Sequence, residues 1–445
     1  MKKDRFNSKF REYTRILSPH ESEREFIGKI YKSFNELLGV NNCIQIGSYP
    51  RHTAITPVHD LDILYVLGDW IENSHDPSVA LQQLAVKIKR DYNNPTPYKA
   101  EVSLQTHSIT VSYLQGIEEL FSVDVVPAYV FSENEFGDDI YKVPEVVREK
   151  RGKSRLEYYQ LSAAQHREIG WISSDPRGYI KIATNVDQSS AGEFRKVVKI
   201  VKKWRTNLEE ADGDLKLKSF HLEQVIVGFF QNNLQLTIFD AIFTFFTELP
   251  DIVDRPNKIR DRASSDKFID DYLSQFSERQ KEKIRYARDG FLIKLENLKE
   301  SDSVDSLMAI NFYRRKPSEE FLFDFKKKIL TDDSLRFKID GFVKPLTGFS
   351  SGWLTETPQL QKGLTHSDKQ RRIEFSIRAN STSAGEYRWK VRNSDACSQP
   401  RGEITLNQTK NNPESTEYIG DHYVECFAII GDVSVARSRV NVKII

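Results

Sequence analysis

Two aspartates separated by one residue are the side chains in this sequence best suited to chemistry. Asp60 and Asp62 open an apolar stretch that runs to Leu67. In a β-strand, residues i and i+2 point to the same face roughly 7 Å apart, so the two carboxylates would be presented together. Carboxylate oxygens suit Mg²⁺, with Mn²⁺ as the alternative, and such an ion commonly also binds substrate phosphates. The pattern predicts a divalent-cation site for phosphoryl or nucleotidyl transfer.

The residues on either side of this pair make the pattern more specific. Gly47 and Ser48 end the preceding apolar strand, where backbone amides and a hydroxyl can hold a triphosphate. Asp124 lies within a later apolar strand and is a third candidate ligand. An Asp-x-Asp alone more often caps a strand or a loop than binds a metal. The combination of Gly-Ser, Asp-x-Asp and a later strand aspartate is typical of nucleotidyltransferases.

Composition limits the classes of protein that remain. A chain of 445 residues is long enough for two or three domains. The formal net charge of +1, with 29% charged residues, gives no overall attraction to nucleic acid or acidic lipid. The three cysteines are widely separated, which favours reduced thiols over disulfides or a zinc site. Because no apolar run approaches the roughly 20 residues of a membrane span, we expect a cytoplasmic protein without a membrane partner.

Helices and strands around the candidate residues are predicted from periodicity. Ser18-Pro19-His20-Glu21 predicts the start of a long amphipathic helix that leads into the Gly-Ser strand. Residues 77–92 read as a second helix, and residues 106–114 as a strand that pairs with the Asp124 strand. These elements would form one compact domain over residues 1–154.

From about residue 155 to residue 330 the periodicity is mostly helical. Residues 194–205 form one predicted helix with an apolar face and a basic face that includes Lys199, Lys202 and Lys203. A basic face of this kind is more often solvated than a phosphate site. The next helix begins near Ser219, which is well placed as its N-cap.

The spacing of apolar residues changes to a period of two after a predicted linker at residues 331–358. Short alternating segments separated by turn residues predict a β-sandwich over residues 359–445. The predicted strands cover residues 372–379, 386–392, 401–406, 421–430 and 434–442. Trp389 is expected in the sandwich core. The sequence as a whole therefore predicts an α+β protein followed by an all-β domain.

Taken in order, the motifs resemble those of the bacterial CD-NTases, relatives of cyclic GMP-AMP synthase and oligoadenylate synthetase. The resemblance covers about residues 10–330 and rests on these motifs: Gly47-Ser48, Asp60-x-Asp62, Asp124, Lys202-Lys203-Trp204 and Ser219-Phe220-His221. It implies a polymerase-beta-like palm with a helical lobe.

The same resemblance implies roles for particular residues. Asp60, Asp62 and Asp124 would be catalytic and would hold two Mg²⁺ ions. Gly47 and Ser48 would bind the donor triphosphate, and Lys203 and Ser219 would match the family's phosphate contacts, with Lys199 or Lys202 able to share that role.

The tail resembles the adenylyl/guanylyl cyclase and SMODS C-terminal sensor domain. The residues that carry this resemblance lie at 387–393, 401–404 and 416–426. Together, the two resemblances imply a synthase that joins nucleoside triphosphates into a cyclic di- or trinucleotide, with ATP as one substrate and GTP, CTP or UTP as candidates for the others. That product would activate a separate effector during phage infection, and the C-terminal domain would recognise an unknown ligand.

Alternatives from other classes remain open at this point. A template-free RNA nucleotidyltransferase shares the palm, although the near-neutral charge counts against it because an RNA backbone needs a broad basic surface. A nucleotide-responsive binding protein, with the tail as its sensor, is a further alternative. The sandwich could also serve only to stabilise or dimerise the synthase.

Overall fold

The computed structural model describes residues 2–146, 170–366, 370–406 and 413–445. The chain forms two compact units. The mixed unit contains residues 10–241 and 254–276, and the sandwich unit contains residues up to 9, 242–253 and 277–445. The predicted domain boundary at residues 154–155 lies outside the described residues.

A mixed β-sheet lies at the centre of the mixed unit. Its strands are β1 (Cys43–Ile46), β2 (Asp60–Asp69), β3 (Lys99–Leu104), β4 (Ile109–Gln115), β5 (Glu118–Glu133), β6 (Asp139–Glu145) and β7 (Gly170–Ser174). The order is β1-β2-β5-β4-β3, with β6 paired to β5 and β7 paired to β6. Strands β2 and β5 run parallel, and their neighbours are antiparallel. The predicted pairing of the Asp124 strand with the preceding strand is confirmed as the β4–β5 hairpin.

Helices cover the sheet where the sequence supplies apolar stripes. Helix α1 (Lys2–Ile16) is followed by α2 (Glu21–Leu38) and α3 (Pro77–Asp91). The stripes of α2 and α3 pack on the buried side chains of β2, β4 and β5, and this core includes Ile27, Ile30, Phe34, Leu81, Leu84, Leu61, Ile63, Val111 and Val123. Burial of these side chains stabilises the helices because an isolated amphipathic helix is only marginally stable in water.

The start of α2 differs from the prediction by two residues. His20, not Ser18, is the N-cap. The backbone N–H of His20 donates to the carboxylate of Glu23 at 2.7 Å, so the capping box is closed two residues later than the sequence signal suggested.

A group of helices completes the mixed unit. They are α4 (Pro176–Ser189), α5 (Glu193–Ala211) and α6 (Ser219–Asn232), together with a short hairpin of β8 (Arg260–Asp261) and β9 (Ser264–Phe268). Helix α7 (Ile238–Asp254) comes between α6 and β8 in the chain, and most of its residues, 242–253, belong to the sandwich unit. The predicted helix over residues 194–205 is confirmed within α5. Ser219 is the first residue of α6 and Lys218 is the N-cap, so the predicted cap lies one position too late. None of the helices in the described ranges is long and apolar enough to cross a membrane.

The largest segment of the sandwich unit, residues 277–445, begins with α8 (Glu278–Asn297) and the short α9 (Asp305–Met308). One sheet has the order β10-β18-β17-β14-β15 and the other has the order β12-β11-β13-β16. The strands are β10 (Lys328–Ile329), β11 (Phe337–Val343), β12 (Gly352–Trp353), β13 (Arg372–Asn380), β14 (Glu386–Arg392), β15 (Ile404–Leu406), β16 (Glu414–Ser415), β17 (Gly420–Ile430) and β18 (Val433–Ile444), with the short helix α10 (Pro358–Gln361) between β12 and β13. The predicted strands over residues 372–379, 386–392, 421–430 and 434–442 are confirmed, whereas only residues 404–406 of the predicted strand 401–406 form a strand.

The predicted linker contributes to the sandwich. Residues 331–358 contain β11 and β12, and Phe337, Ile339 and Val343 of β11 are buried in the sandwich core. Their alternation of apolar and polar residues is a strand signal, but neighbouring glycine, proline and serine residues obscure it in the sequence. Trp389 is 3% exposed and lies in the same core, as expected.

The cysteines are free thiols in different environments. Cys43 and Cys426 are buried, whereas Cys397 is half-buried. Burial raises the pKa of Cys43 to about 12, and it also raises the pKa of Cys426. The prediction of free thiols agrees with this arrangement.

We predict that Gly341→Ala destabilises the sandwich by roughly 1–3 kcal/mol, the usual effect of overpacking a core. A Cβ at Gly341 would lie 2.7 Å from Leu354 and 2.8 Å from both Ile373 and Phe375. Scanning calorimetry of the full chain should show the loss as a lower melting temperature. Gly385→Ala is the matched control because a Cβ there meets no atom within 4 Å. Equal melting temperatures for the two variants would contradict the packing described here.

Candidate active site

Strand register brings the three predicted aspartates together. Asp62 on β2 is directly opposite Asp124 on the parallel strand β5, and Asp60 is opposite Ser122. Neighbouring strands lie about 4.8 Å apart, so Asp62 and Asp124 are side by side on the sheet. Thr110 on β4 is in turn opposite Asp124. Three adjacent strands therefore place their polar residues at one level of an otherwise apolar sheet.

Crowding of like charges dominates the electrostatics of this site. Loss of water, followed by the charges of Asp60 and Asp124, raises the pKa of Asp62 to about 7. The pKa of Asp60 is raised as well, first by desolvation and then by the charge of Asp124. The folded chain thus holds carboxylates close together at a cost that a bound cation would offset.

Hydroxyl groups fix the orientation of Asp124. Its Oδ1 accepts a hydrogen bond from the Thr110 hydroxyl and another, at 3.1 Å, from the Ser108 hydroxyl. Both hydroxyl residues are buried. Asp124 is therefore held on one side of its carboxylate, and its rotamer is set before any ligand arrives.

The Gly-Ser turn lies directly against this cluster. Gly47 follows β1 with φ of +78°, in the left-handed region that favours glycine. A Cβ at this position would collide with the carboxylate of Asp62. The carbonyl of Ser48 accepts a hydrogen bond from the backbone N–H of Thr53 at 3.0 Å. Glycine is required here because the loop backbone and the Asp62 carboxylate share the same space.

The donor set suits a hard divalent cation, although the carboxylates do not converge. Among the described residues, no three His, Cys, Asp or Glu side chains stand as a ready metal-binding group. Asp124 is engaged by its two hydroxyl donors and Asp62 lies against Gly47. The three carboxylates nevertheless supply oxygen ligands of the kind Mg²⁺ prefers, and the raised pKa values of Asp60 and Asp62 mark a local excess of negative charge.

The predicted phosphate contacts on the helices are not joined to the aspartates. Lys203 is half-buried on α5 and Ser219 is half-buried at the start of α6. Within the described ranges, neither forms a hydrogen bond or ion pair with Asp60, Asp62 or Asp124. Their assignment as phosphate ligands remains a prediction.

Two basic side chains near the aspartates were not recognised as such from the sequence. They are Arg51, in the loop after the Gly-Ser turn, and Lys202 on α5. The charge of Arg51 lowers the pKa of Asp62, and the charge of Lys202 lowers that of Asp60, in both cases against the larger effect of burial. Lys202 is only 6% exposed, so it does not belong to a solvated basic face. Its Nζ donates to the carbonyl and the hydroxyl of Thr53, each at 3.1 Å.

A family comparison identifies the C-terminal part of the chain. Residues 322–445 match the family model described as the adenylyl/guanylyl and SMODS C-terminal sensor domain. These residues belong to that sensor-domain family. The match begins before the predicted sandwich boundary at residue 359, in agreement with the strands found in the former linker. The resemblance of the tail noted from its sequence is confirmed.

A relative found by sequence comparison points in the same direction. The chain is 24% identical over 228 residues to a probable cyclic nucleotide synthase of Bacillus cereus strain VD146. The matched region is 46% of this chain and 60% of that relative, so the chain spans well under two thirds of the relative's length. The resemblance to bacterial CD-NTases carrying this sensor domain is supported by both findings.

Two solved structures with low sequence identity align with part of this chain. CdnC of Escherichia coli MS115-1 with ATP matches at 16% identity and a TM-score of 0.48, over 69% of this chain and 98% of that chain. DncV of Escherichia coli bound to 3′-deoxy GTP matches at 15% identity and a TM-score of 0.42, over 60% and 71% respectively. Similarity at this level is too distant to carry an argument about function.

We predict that Asp62→Asn stabilises the metal-free protein at pH 8 by roughly 2–4 kcal/mol, at about 1.4 kcal/mol per unit of pKa shift. A carboxyl whose pKa is higher in the folded chain than in the unfolded chain makes the folded protein less stable as the pH rises between the two pKa values, here from about 4 to about 7. The gain should therefore shrink as the pH falls from 8 towards 4.

Thermal unfolding in the presence of a chelator, at several pH values, measures this effect. Asp69→Asn is the control because Asp69 lies at the exposed end of the same strand. A gain from Asp62→Asn that is constant across this pH range would show that the charge of Asp62 is not its source.

Proposed function

We propose that this chain is a metal-dependent nucleotidyltransferase that joins nucleoside triphosphates into a cyclic oligonucleotide. The observation that carries the proposal is the register of β2 and β5, which sets the carboxylates of Asp62 and Asp124 side by side next to the Gly-Ser turn. The sensor-domain match and the probable cyclic nucleotide synthase relative support the same class of reaction.

Each group in the site has a part in this reaction. Asp60, Asp62 and Asp124 would hold Mg²⁺, or Mn²⁺ in its place. The bound cation supplies charge neutralisation at the phosphates and activation of the attacking hydroxyl. Ser108 and Thr110 keep the Asp124 carboxylate in one orientation. The backbone at Gly47 and the hydroxyl of Ser48 would receive the triphosphate of the donor nucleotide.

The reaction balances as a simple displacement. A ribose hydroxyl of one nucleotide forms a bond to the α-phosphorus of another and loses its proton. The bond between the α-phosphorus and the bridging oxygen breaks, and pyrophosphate leaves. A second displacement within the linear intermediate closes the ring. We propose ATP as one substrate, with GTP, CTP or UTP as partners.

The proposed biological setting rests on the resemblance to the CD-NTases and on the proposed product. A cyclic nucleotide is a diffusible signal, so its target would be a separate effector protein, and we place this signalling in antiphage defence in the cytoplasm. The sensor domain would recognise a ligand that controls synthesis. These statements rest on the proposed activity.

Product analysis tests the activity. We expect full-length protein incubated with the four labelled ribonucleoside triphosphates and Mg²⁺ or Mn²⁺ to form a phosphatase-resistant cyclic product, identified by mass spectrometry. Asp60→Asn combined with Asp62→Asn should reduce the yield at least about 100-fold because the cation loses two of its ligands.

A second measurement tests the metal site without turnover. Mg²⁺ should raise the melting temperature of the wild type but not that of the double variant, because a ligand that binds only the folded chain stabilises it. Extension of added RNA ends, with no cyclic product, would overturn the proposal in favour of an RNA nucleotidyltransferase. Nucleotide binding without any product would favour a nucleotide-responsive binding protein.

A further inference from the structure

A carboxylate is buried in the helical part of the mixed unit, within a largely apolar helix. Glu223 of α6 is 0% exposed. The buried residues on either side of it in α6 include Leu222, Val225 and Ile226. An ionised side chain in such surroundings is unfavourable unless it is paired and hydrogen-bonded.

The partners of Glu223 come from the loop that follows the Gly-Ser turn and from α5. Its Oε1 accepts from Nε of Arg51 at 2.6 Å, and its Oε2 accepts from the hydroxyl of Thr53 at 2.9 Å. The Nζ of Lys202 lies 3.3 Å from Oε2. Arg51, Thr53 and Lys202 are themselves buried. The cluster is therefore a closed set of charges and hydrogen bonds without access to bulk water.

Electrostatics favour the ionised form of Glu223. Burial alone would raise the pKa of Glu223, but the charges of Lys202 and Arg51 reverse that effect and hold its pKa below the usual value. A change that moves Arg51 and Thr53 away would leave a buried carboxylate with too few partners. The loop is thus tied to the helices by the cost of uncovering this charge.

The loop has a second carboxylate attachment on α2. Glu23 accepts hydrogen bonds from the backbone N–H of Val58 at 3.1 Å and from the hydroxyl of Thr56 at 2.8 Å. Arg195 of α5 adds a bond from its Nε to the carbonyl of Arg51 at 2.9 Å. Residues 47–59 are therefore held from α2, α5 and α6, immediately beside the aspartates.

We propose that Glu223 is a positioning residue for the donor nucleoside triphosphate. Through Arg51 and Thr53 it fixes the loop backbone that begins at Gly47 and Ser48, so that the triphosphate site exists before substrate arrives. In this arrangement Arg51 and Lys202 together offset the charge of Glu223. The inference rests on the proposed function in one respect, the assignment of Gly47 and Ser48 to the triphosphate.

Hydrogen–deuterium exchange of the nucleotide-free protein tests whether Glu223 holds the loop. Glu223→Gln keeps the shape of the side chain and removes its charge, so we expect amides of residues 47–59 to exchange about tenfold faster. Asp289→Asn is the matched control: Asp289 is a buried carboxylate that accepts from Arg288 at 2.6 Å and from Arg315 at 2.7 Å in the sandwich unit. It should leave exchange in this loop unchanged.

If folded Glu223→Gln shows unchanged hydrogen exchange in residues 47–59, the proposal is overturned. Equally fast exchange of these residues in Asp289→Asn would also overturn it. If Glu223→Gln does not fold, Thr53→Val replaces it, since this change removes one hydroxyl partner of Glu223 and retains the charges. We expect a smaller acceleration in the same loop with Thr53→Val, and no acceleration would likewise overturn the proposal.

Nucleotide measurements separate positioning from general destabilisation. The KM for ATP should rise about tenfold in Glu223→Gln while kcat changes less, because a displaced loop weakens donor binding before chemistry. Asp289→Asn should leave KM unchanged even if it lowers the melting temperature as much. A kcat loss at constant KM would contradict the proposed role.

Equilibrium binding of a non-hydrolysable ATP analogue distinguishes this inference from the proposed function. Weaker binding in Glu223→Gln than in wild type and control supports the positioning role even where no cyclic product forms. Absence of nucleotide binding in the wild type would overturn the assignment of the loop to a triphosphate. The exchange experiment would then still decide whether Glu223 fixes the loop.

Discussion

Repulsion among neighbouring carboxylates is the constraint on which the mixed unit depends. The sheet places Asp62 and Asp124 in direct register, and Asp60 lies one residue away on the same face of β2. Such a cluster has no favourable internal partner, so its geometry must be imposed from outside. The apolar packing of α2 and α3 beneath the strands, the hydroxyl donors to Asp124 and the glycine beside Asp62 together impose it.

Much of this arrangement follows from local sequence rules. Alternation in the strands predicted that Asp60 and Asp62 share a face, and the β4–β5 hairpin followed from the turn at Gln115-Gly116. The C-terminal strands were likewise readable because they alternate and are separated by turn residues. In these places the local pattern and the tertiary structure favour the same answer.

The remaining features depend on contacts between distant parts of the chain. Glu223 lies 172 residues from Arg51, and nothing in the local pattern of α6 indicates what its carboxylate contacts. Its only sequence signal is an acidic residue within a largely apolar helix. The prediction of a solvated basic face on α5 was wrong for Lys202 for the same reason, because its side chain points inward and donates to Thr53. Periodicity identifies a face but not the partner that covers it.

The unequal burial of the cysteines provides an experimental handle. Thiol reagents react with the thiolate, and the high pKa values of Cys43 and Cys426 keep both of these thiols protonated as well as covered. Cys397 is the accessible thiol, next to Asn393 and Gln399 in the sandwich unit. A maleimide dye added to the unaltered protein should therefore attach at one position. The native sequence already provides a specific labelling site for fluorescence studies of the sensor domain.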